Sequence, residues 1–246
     1  MQTYLRNEFT VTAAHTDCFG RAKPSALLFF SQEAAGLHCT QLAVDYAALK
    51  KHNLFWAVIR SRVQITRLPT LGETITVETW PMPTTRSSFP RSTVAYDKGG
   101  KELFRQISLW VLMDATNRTM VLPGKSQVLV DGSCRGLELA APGSILPKAL
   151  ENTALRQVGY TELDRNLHMN NTRYLDWIDD LLPSQFHKEH PLRDFTICYL
   201  NEAKEGEKIH LNWQLFDGPC LQVEGTRQPE NDTDRQQRIF AAVLSF

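Results

Sequence analysis

The chain has 246 residues, of which 42% are hydrophobic and 22% are charged, a composition typical of a globular protein with a substantial core. Its 27 basic residues balance its 27 acidic ones, so no net charge favours binding to nucleic acid or to an anionic membrane. The five cysteines are odd in number and include no CxxC pair, which argues against a zinc site and a disulfide framework. The N-terminal residues contain no apolar run long enough for a signal peptide or an anchor, so we expect a cytoplasmic location.

The first half of the chain is predicted to run strand, helix, then strands. A short strand is predicted at Phe9–Ala14, and a helix is predicted to begin at Pro24, whose fixed φ suits a first helical turn. The following segment, SALLFFSQEAAGLHCTQLA, places apolar residues at helical spacing. A second short helix is predicted within Val44–His52. Four β-rich runs then follow: Phe55–Thr66, Thr74–Pro81, Ser88–Tyr96 and Leu103–Asp114.

The second half repeats this order in a shorter form. Residues 127–154 carry GSCRGLELAAPGS and little periodicity, which predicts a linker. A strand is then predicted at Arg156–Tyr160 and a helix at Asn171–Leu182, before Pro183. The last four predicted strands are Asp194–Asn201, Lys208–Phe216, Cys220–Thr226 and Arg235–Phe246.

Matching landmarks indicate an internal repeat. Asp17 and Asp164 lie 147 residues apart, whereas Glu73 and Glu207, each after a glycine, lie 134 apart. A shrinking offset is what deletions in the second half would produce. Each half then reads as an α+β unit with its helix on one face of an antiparallel sheet; the alternative is two unrelated α+β halves.

The densest polar cluster lies just before the second helix. Asp164, Asn166 and His168 alternate with other residues, and in an extended segment this period places all three on one side. A carboxylate, an amide and an imidazole together can form a hydrogen-bonded set that acts on a substrate. Asn170 and Asn171 follow where a helix should begin, and its free N–H groups could hold an oxyanion. The alternative is a polar loop that only caps the helix.

The segment DRNLHMNN at residues 164–171, followed by Tyr174 and Trp177, resembles the signature of the acyl-carrier-protein thioesterases of plants and bacteria, members of the hot-dog superfamily. The first half adds supporting segments: FWAV at 55–58, RLP at 67–69, GE at 72–73 and TWP at 79–81. The resemblance implies an α+β fold with tandem hot-dog domains, each a long helix wrapped by an antiparallel sheet.

The resemblance also implies that the two domains have different functions. Residues 1–126 would form an N-terminal domain that supplies the acyl pocket, and 155–246 a C-terminal catalytic domain, joined by the linker 127–154. Of the cluster, the first half keeps only Asp17, so we expect one active site in the chain. Candidate pocket residues are Phe29, Phe30, Leu37 and Trp56.

The family pattern has a glutamate one strand later, often followed by a cysteine. Glu202 matches the glutamate, but Ala203 stands where the cysteine would be, which favours direct attack by water with Glu202 as general base. His168 would orient the water or steady the thioester, Asn166 would contact the carbonyl or the water, and Asp164 would position its neighbours. His168 and Glu202 could exchange their roles.

These features predict a thioesterase that releases free fatty acid from an acyl-carrier protein, with water as co-substrate and no metal or organic cofactor. The partner would be a carrier protein with an acyl-phosphopantetheine arm, and the enzyme a monomer or a homodimer. The alternatives are an acyl-coenzyme A thioesterase, a hot-dog dehydratase or hydratase, and a non-catalytic acyl-binding module. Two measurements would discriminate among them: whether free thiol is released, and whether the enzyme prefers carrier-protein thioesters to coenzyme A thioesters.

The remaining histidines have no partner at a chemically suggestive spacing. We interpret all six as surface or capping residues: His15, His38, His52, His187, His190 and His210. Cys39 and Cys198 are interpreted as small buried hydrophobic residues rather than reactive thiols.

Overall fold

The computed structural model of the chain describes residues 3–227 and 236–246. It divides into two compact units, Met1–Pro142 and Gly143–Phe246. In the described part of the chain, no helix is long and apolar enough to cross a membrane.

The first unit is an antiparallel sheet with one long helix. Its elements are β1 (Leu5–Thr10), α1 (Pro24–Gln41), α2 (Tyr46–Lys50), β2 (Leu54–Ile65), β3 (Thr74–Pro81), β4 (Phe89–Tyr96), β5 (Glu102–Asp114) and β6 (Met120–Val121). The strand order is β1-β3-β4-β5-β2, and the short β6 pairs with β5.

The second unit has the same topology with shorter helices. Its elements are β7 (Asn152–Gln157), α3 (Arg173–Asp179), α4 (Ser184–Glu189), β8 (Asp194–Tyr199), β9 (Lys208–Phe216), β10 (Cys220–Arg227) and β11 (Gln237–Ser245). The strand order is β7-β9-β10-β11-β8. Numbered within each unit, both sheets therefore run 1-3-4-5-2, as expected of an internal repeat.

The core of the first unit lies between α1 and the sheet. Leu27, Phe30 and Ala34 on α1 are fully buried, and the ring of Phe30 lies 5.6 Å from that of Phe9 on β1. Their spacing of three to four residues places them on one face of the helix. The helical periodicity read from the sequence thus corresponds to the buried face of α1.

The core of the second unit centres on Phe240 of β11. Its ring lies 4.8 Å from that of Tyr174 on α3, and it covers Gly225 on the paired strand β10. A Cβ at Gly225 would come within 2.1 Å of the Phe240 ring. Glycine is required here because the aromatic ring occupies the space of any side chain.

The segment predicted as a linker, 127–154, is shared between the two units. Within the first unit, Arg135 Nη1 lies 2.9 Å from Glu78 Oε2 and Trp80 Nε1 donates to Glu138 Oε1 at 3.0 Å. Both Glu78 and Trp80 lie on β3, so these side chains tie the segment to that strand. These contacts could not be predicted from the sequence, because each joins residues nearly sixty positions apart and the segment itself is polar and irregular.

Several element boundaries differ from the sequence prediction. The strands predicted at Phe9–Ala14 and Arg156–Tyr160 begin four residues earlier, as β1 and β7, and the helix predicted at Asn171–Leu182 is only the seven-residue α3. The last strand, predicted at Arg235–Phe246, is β11, and Arg235 lies outside the described residues. β1 and β7 alternate in burial along a largely polar sequence, which leaves a weak hydrophobic signal.

Candidate active site

The loop between β7 and α3 contains a tight turn built on Asp164. The Asp164 amide donates to the His168 carbonyl at 2.7 Å. Asp164 Oδ1 accepts hydrogen bonds from the backbone N–H of Asn166 at 2.8 Å and of His168 at 3.2 Å, and Asn166 Nδ2 lies 3.4 Å from Asp164 Oδ2. The three predicted residues therefore come together, but through a turn. The alternation predicted a strand end or a loop, and the structure has a loop whose backbone is not extended at Leu167, with a φ of 62°.

A second segment brings Glu202 to this turn. The Met169 amide donates to the Ala203 carbonyl at 2.8 Å, and His168 forms an isolated antiparallel bridge with Lys204. As a result His168 Nε2 lies 3.2 Å from Glu202 Oε2, with side-chain exposures of 13% and 39%. A solvent-exposed carboxylate and a largely buried imidazole at this distance can exchange a proton with a bound water molecule.

The first unit contains the same turn built on Asp17. The Asp17 amide donates to the Arg21 carbonyl at 2.8 Å, and Asp17 Oδ1 accepts from the N–H of Phe19 and of Arg21, both at 2.9 Å. The Ala22 amide donates to the Pro69 carbonyl at 2.7 Å, as Met169 does to Ala203 in the second unit. The hydrogen bonds recur at the offsets of 147 and 134 residues read from the sequence.

The chemistry of the two turns differs. Arg21 stands at the position of His168, and its guanidinium binds Asp17 Oδ2 through Nε at 3.1 Å and Nη2 at 3.0 Å. Leu68 stands at the position of Glu202. The first turn keeps its backbone but holds a closed ion pair in place of an imidazole and a carboxylate.

The paired asparagines order the start of α3. Asn170 Oδ1 accepts from the Thr172 amide at 3.0 Å and from its hydroxyl at 2.9 Å, and the Tyr199 hydroxyl donates to the Asn171 carbonyl at 2.9 Å. Asn170 therefore closes an Asx turn just before α3, whose N-cap position is Thr172 and has no side-chain cap. Because Asn170 already occupies the Thr172 N–H, that donor is not directed at a substrate.

Two further motif residues, Tyr174 and Trp177, belong to the core. Both are at most 5% exposed, and the Tyr174 ring packs 5.7 Å from that of Tyr199. Burial raises the pKa of the Tyr174 phenol and that of Tyr199 well above their ordinary value. Both phenols therefore stay neutral, and the Tyr199 O–H remains a donor at all ordinary pH values.

One histidine contradicts the sequence interpretation. His38, interpreted as a surface or capping residue, is fully buried on α1, and its Nδ1 lies 3.3 Å from Nη1 of Arg91. Arg91 was not predicted as a functional residue, because nothing in the local pattern of a strand marks a buried cation. Periodicity was the one available signal, since His38 falls on the same helical face as Ala34.

The candidate pocket residues do not share one environment. Phe30 is fully buried, whereas Phe29 and Leu37 are 40% and 48% exposed on α1. Trp56 is half-buried and donates from Nε1 to the Val44 carbonyl at 2.8 Å. Phe30 and Trp56 thus serve packing and hydrogen bonding within the first unit.

The turn at Leu167 carries backbone strain that a glycine would relieve. Leu167 is 71% exposed at a φ of 62°, and the matching residue in the first unit is Gly20, with a φ of 73°. A left-handed conformation costs a residue with a Cβ roughly 1–2 kcal/mol, partly offset by the entropy that glycine loses on folding. We expect Leu167→Gly to raise the free energy of unfolding by about 0.5–1 kcal/mol in urea titrations. Gly20→Ala is the reverse control and should lower it; a destabilised Leu167→Gly would contradict the strain.

Solved structures of related proteins share this architecture. An acyl-ACP thioesterase from Bacteroides thetaiotaomicron superposes with a TM-score of 0.86 at 22% identity, over 99% of this chain and 98% of that one. The 12:0-ACP thioesterase from Umbellularia californica gives 0.82 at 20% identity, over 100% and 97%. The predicted α+β tandem hot-dog fold is confirmed.

Curated proteins provide the sequence comparison. The chloroplastic palmitoyl-acyl carrier protein thioesterase of Gossypium hirsutum is 29% identical over 197 residues, 74% of this chain and 48% of that protein. The chloroplastic dodecanoyl-[acyl-carrier-protein] hydrolase of Umbellularia californica is 28% identical over 179 residues, 63% and 43%. The chain thus spans about half the length of the curated relatives it matches. The acyl-ACP thioesterase N-terminal and C-terminal domain families match residues 2–122 and 148–238, so the chain belongs to the acyl-ACP thioesterase family.

Proposed function

We propose that this chain hydrolyses fatty acyl-acyl-carrier-protein thioesters to free fatty acid and carrier protein. The observation that carries the proposal is the pair His168 Nε2 and Glu202 Oε2, 3.2 Å apart. The matched plant relatives are named as acyl-carrier-protein thioesterases or hydrolases. The pair supplies what hydrolysis needs: a proton acceptor and a group that orients water.

In the proposed reaction Glu202 accepts a proton from a water molecule that His168 orients. The water oxygen attacks the thioester carbonyl carbon, and the carbonyl oxygen takes up negative charge while the Asn166 amide donates a hydrogen bond to it. Collapse of the tetrahedral intermediate breaks the C–S bond. The leaving sulfur of the phosphopantetheine arm receives the proton that Glu202 had accepted. Asp164 touches no reacting atom, and it positions the other residues through the backbone of the turn.

No cysteine takes the role of nucleophile in this proposal. The position after Glu202 is Ala203, which is fully buried, and Cys198 is 1% exposed. Cys198 Sγ lies 3.7 Å from the Gly143 carbonyl. A thiol buried in this way lacks the solvent exposure of a reactive cysteine.

In this proposal the two units have different functions. The first unit, residues 1–126 in the sequence-based division, binds the acyl chain, and the unit containing 155–246 carries the catalytic residues, with 127–154 as the connection. The Asp17–Arg21 ion pair, which replaces the imidazole and carboxylate, supports a single site. All five cysteines are free, which agrees with a reducing compartment such as the cytoplasm, although the matched plant relatives are named as chloroplastic.

The test is release of free thiol from purified acyl-carrier-protein thioesters over a ladder of chain lengths, beside the matching acyl-coenzyme A thioesters. We expect rapid release from the carrier protein and a lower kcat/KM with coenzyme A. Equal efficiency with both would favour the coenzyme A alternative. Turnover of hydroxyacyl or enoyl thioesters without thiol release would replace hydrolysis by a dehydratase or hydratase activity.

A further inference from the structure

The helix-facing side of the first sheet carries a row of buried polar side chains. In antiparallel strands, directly paired residues point to the same face, and the register pairs Thr79 with Thr93, Thr93 with Gln106, Arg91 with Ser108, and Ser108 with Ser61. The contact of Arg91 with His38 shows that this face is turned towards α1. None of the six side chains is more than 7% exposed. We call this set the polar row: Ser61, Thr79, Arg91, Thr93, Gln106 and Ser108.

Arg91 brings a cation into the row, and it has no anionic partner among its contacts with the described residues. Its Nη1 lies 3.3 Å from His38 Nδ1 and 3.3 Å from Thr79 Oγ1, and its Nη2 lies 3.8 Å from Cys39 Sγ. Burial raises the pKa of the Cys39 thiol, so that sulfur is neutral. Burial also lowers the pKa of the Arg91 guanidinium, as expected for a charge removed from water. A buried cation surrounded by neutral groups favours any further acceptor that reaches it.

Gln106 brings an unsatisfied acceptor into the same row. Its Nε2 lies 3.4 Å from Ser61 Oγ, whereas its Oε1 is buried and has no hydrogen-bond partner within the described residues. Buried acceptors are rarely left unpaired in native proteins. Because Arg91 pairs with Ser108, two residues beyond Gln106, the two side chains are diagonal neighbours whose Cα atoms lie about 7–8 Å apart.

A hydroxyl group satisfies both residues at once. Its oxygen accepts a hydrogen bond from the guanidinium, while its O–H donates to the amide oxygen. A methylene in the same place would leave Gln106 Oε1 unpaired and would offer Arg91 nothing. A carboxylate or a ketone would pair with the guanidinium only.

We propose that the polar row binds a hydroxyl group on the acyl chain, away from the thioester, so that hydroxylated acyl thioesters are the preferred substrates. This inference rests on the proposed function, in which the first unit receives the acyl chain. A site built to hydrogen-bond a hydroxyl rejects the analogue without it, because its buried polar groups are then left unpaired. Two hydrogen bonds, one of them to a charged donor, correspond to a preference of about 30- to 2000-fold in kcat/KM.

The experiment compares acyl-carrier-protein thioesters of equal chain length that carry a mid-chain hydroxyl, a terminal hydroxyl, a keto group, a terminal carboxylate or no substituent. With the wild-type chain we expect one of the hydroxylated chains to be preferred about 30- to 2000-fold. Gln106→Leu should bring the ratio of kcat/KM for the hydroxylated chain to kcat/KM for the unsubstituted chain down to about one. Gln64→Leu is the matched control, since Gln64 is an exposed glutamine on β2 of the same sheet, and it should keep the preference.

Equal kcat/KM for hydroxylated and plain chains would overturn the inference, as would a preference that survives in Gln106→Leu. A Gln106→Leu protein that changes only the preferred chain length would also contradict it. If this variant does not fold, calorimetric binding of hydroxylated and plain free fatty acids to the wild-type chain decides the matter, since equal affinity contradicts the polar row as a hydroxyl site. Absence of thiol release from every thioester defeats the proposed function itself, whereas release without discrimination defeats only this inference.

Discussion

Glu202→Gln should lower kcat for thioester hydrolysis by about 10²- to 10⁴-fold, the range that a positioned general base contributes. The substitution keeps the size of the side chain and its ability to hydrogen-bond His168 Nε2, now 3.2 Å from Glu202 Oε2. It removes only the capacity to accept a proton from water. Because Glu202 is 39% exposed, we expect no measurable change in the midpoint of urea unfolding.

The matched control for this prediction is Glu205→Gln, which changes an exposed glutamate three residues later and should leave kcat unchanged. His168→Gln should cause a loss similar to that of Glu202→Gln. In the double variant the two losses should not add, because residues that act as a unit in one proton transfer are strongly non-additive. Full activity in a folded Glu202→Gln protein would remove Glu202 from the reaction and leave His168 as the base.

The bounds of the interior strands of each sheet were predictable, because hydrophobic residues of these strands are buried on one or both faces of the sheet. The predicted Thr74–Pro81 and Lys208–Phe216 agree with β3 and β9 residue for residue. The strands β1 and β7 were placed four residues late, since only every second residue is shielded and many are polar. The helix α3 was overestimated because apolar residues continue to Leu182, although the helix ends at Asp179. Hydrophobic patterns report burial, and burial continues past the end of a helix.

The members of the candidate site were predictable from the motif, whereas its geometry was not. Asp164, Asn166 and His168 were grouped by their spacing, and the structure brings them together through hydrogen bonds to the backbone. The turn depends on the left-handed φ of Leu167, a conformation that leucine rarely adopts and that no sequence rule would assign to it. The contact of His38 with Arg91 spans 53 residues and exists only once the helix has packed on the sheet.

The Asp164 side chain should matter for turnover although it touches no reacting atom. Asp164→Ala removes the acceptor of two backbone N–H groups, those of Asn166 and His168, so His168 loses the turn that holds it near Glu202. A displacement of about 1 Å in a catalytic group can cost about 10²-fold, and we expect this loss in kcat with little change in KM. Asp164→Asn should restore most of the activity, because its amide oxygen can accept the same two hydrogen bonds.

The internal repeat supplies a control in the same molecule. Asp17 accepts the same two backbone hydrogen bonds, from Phe19 and Arg21, and also binds the Arg21 guanidinium. Asp17→Ala should therefore lower the free energy of unfolding by at least as much as Asp164→Ala, about 1–3 kcal/mol, and yet leave kcat unchanged because no catalytic side chain depends on that turn. If Asp17→Ala reduced kcat as much as Asp164→Ala, the effect of Asp164 would be one of stability alone. A loss confined to Asp164→Ala, rescued by asparagine, would show that the same turn serves structure in one unit and positioning in the other.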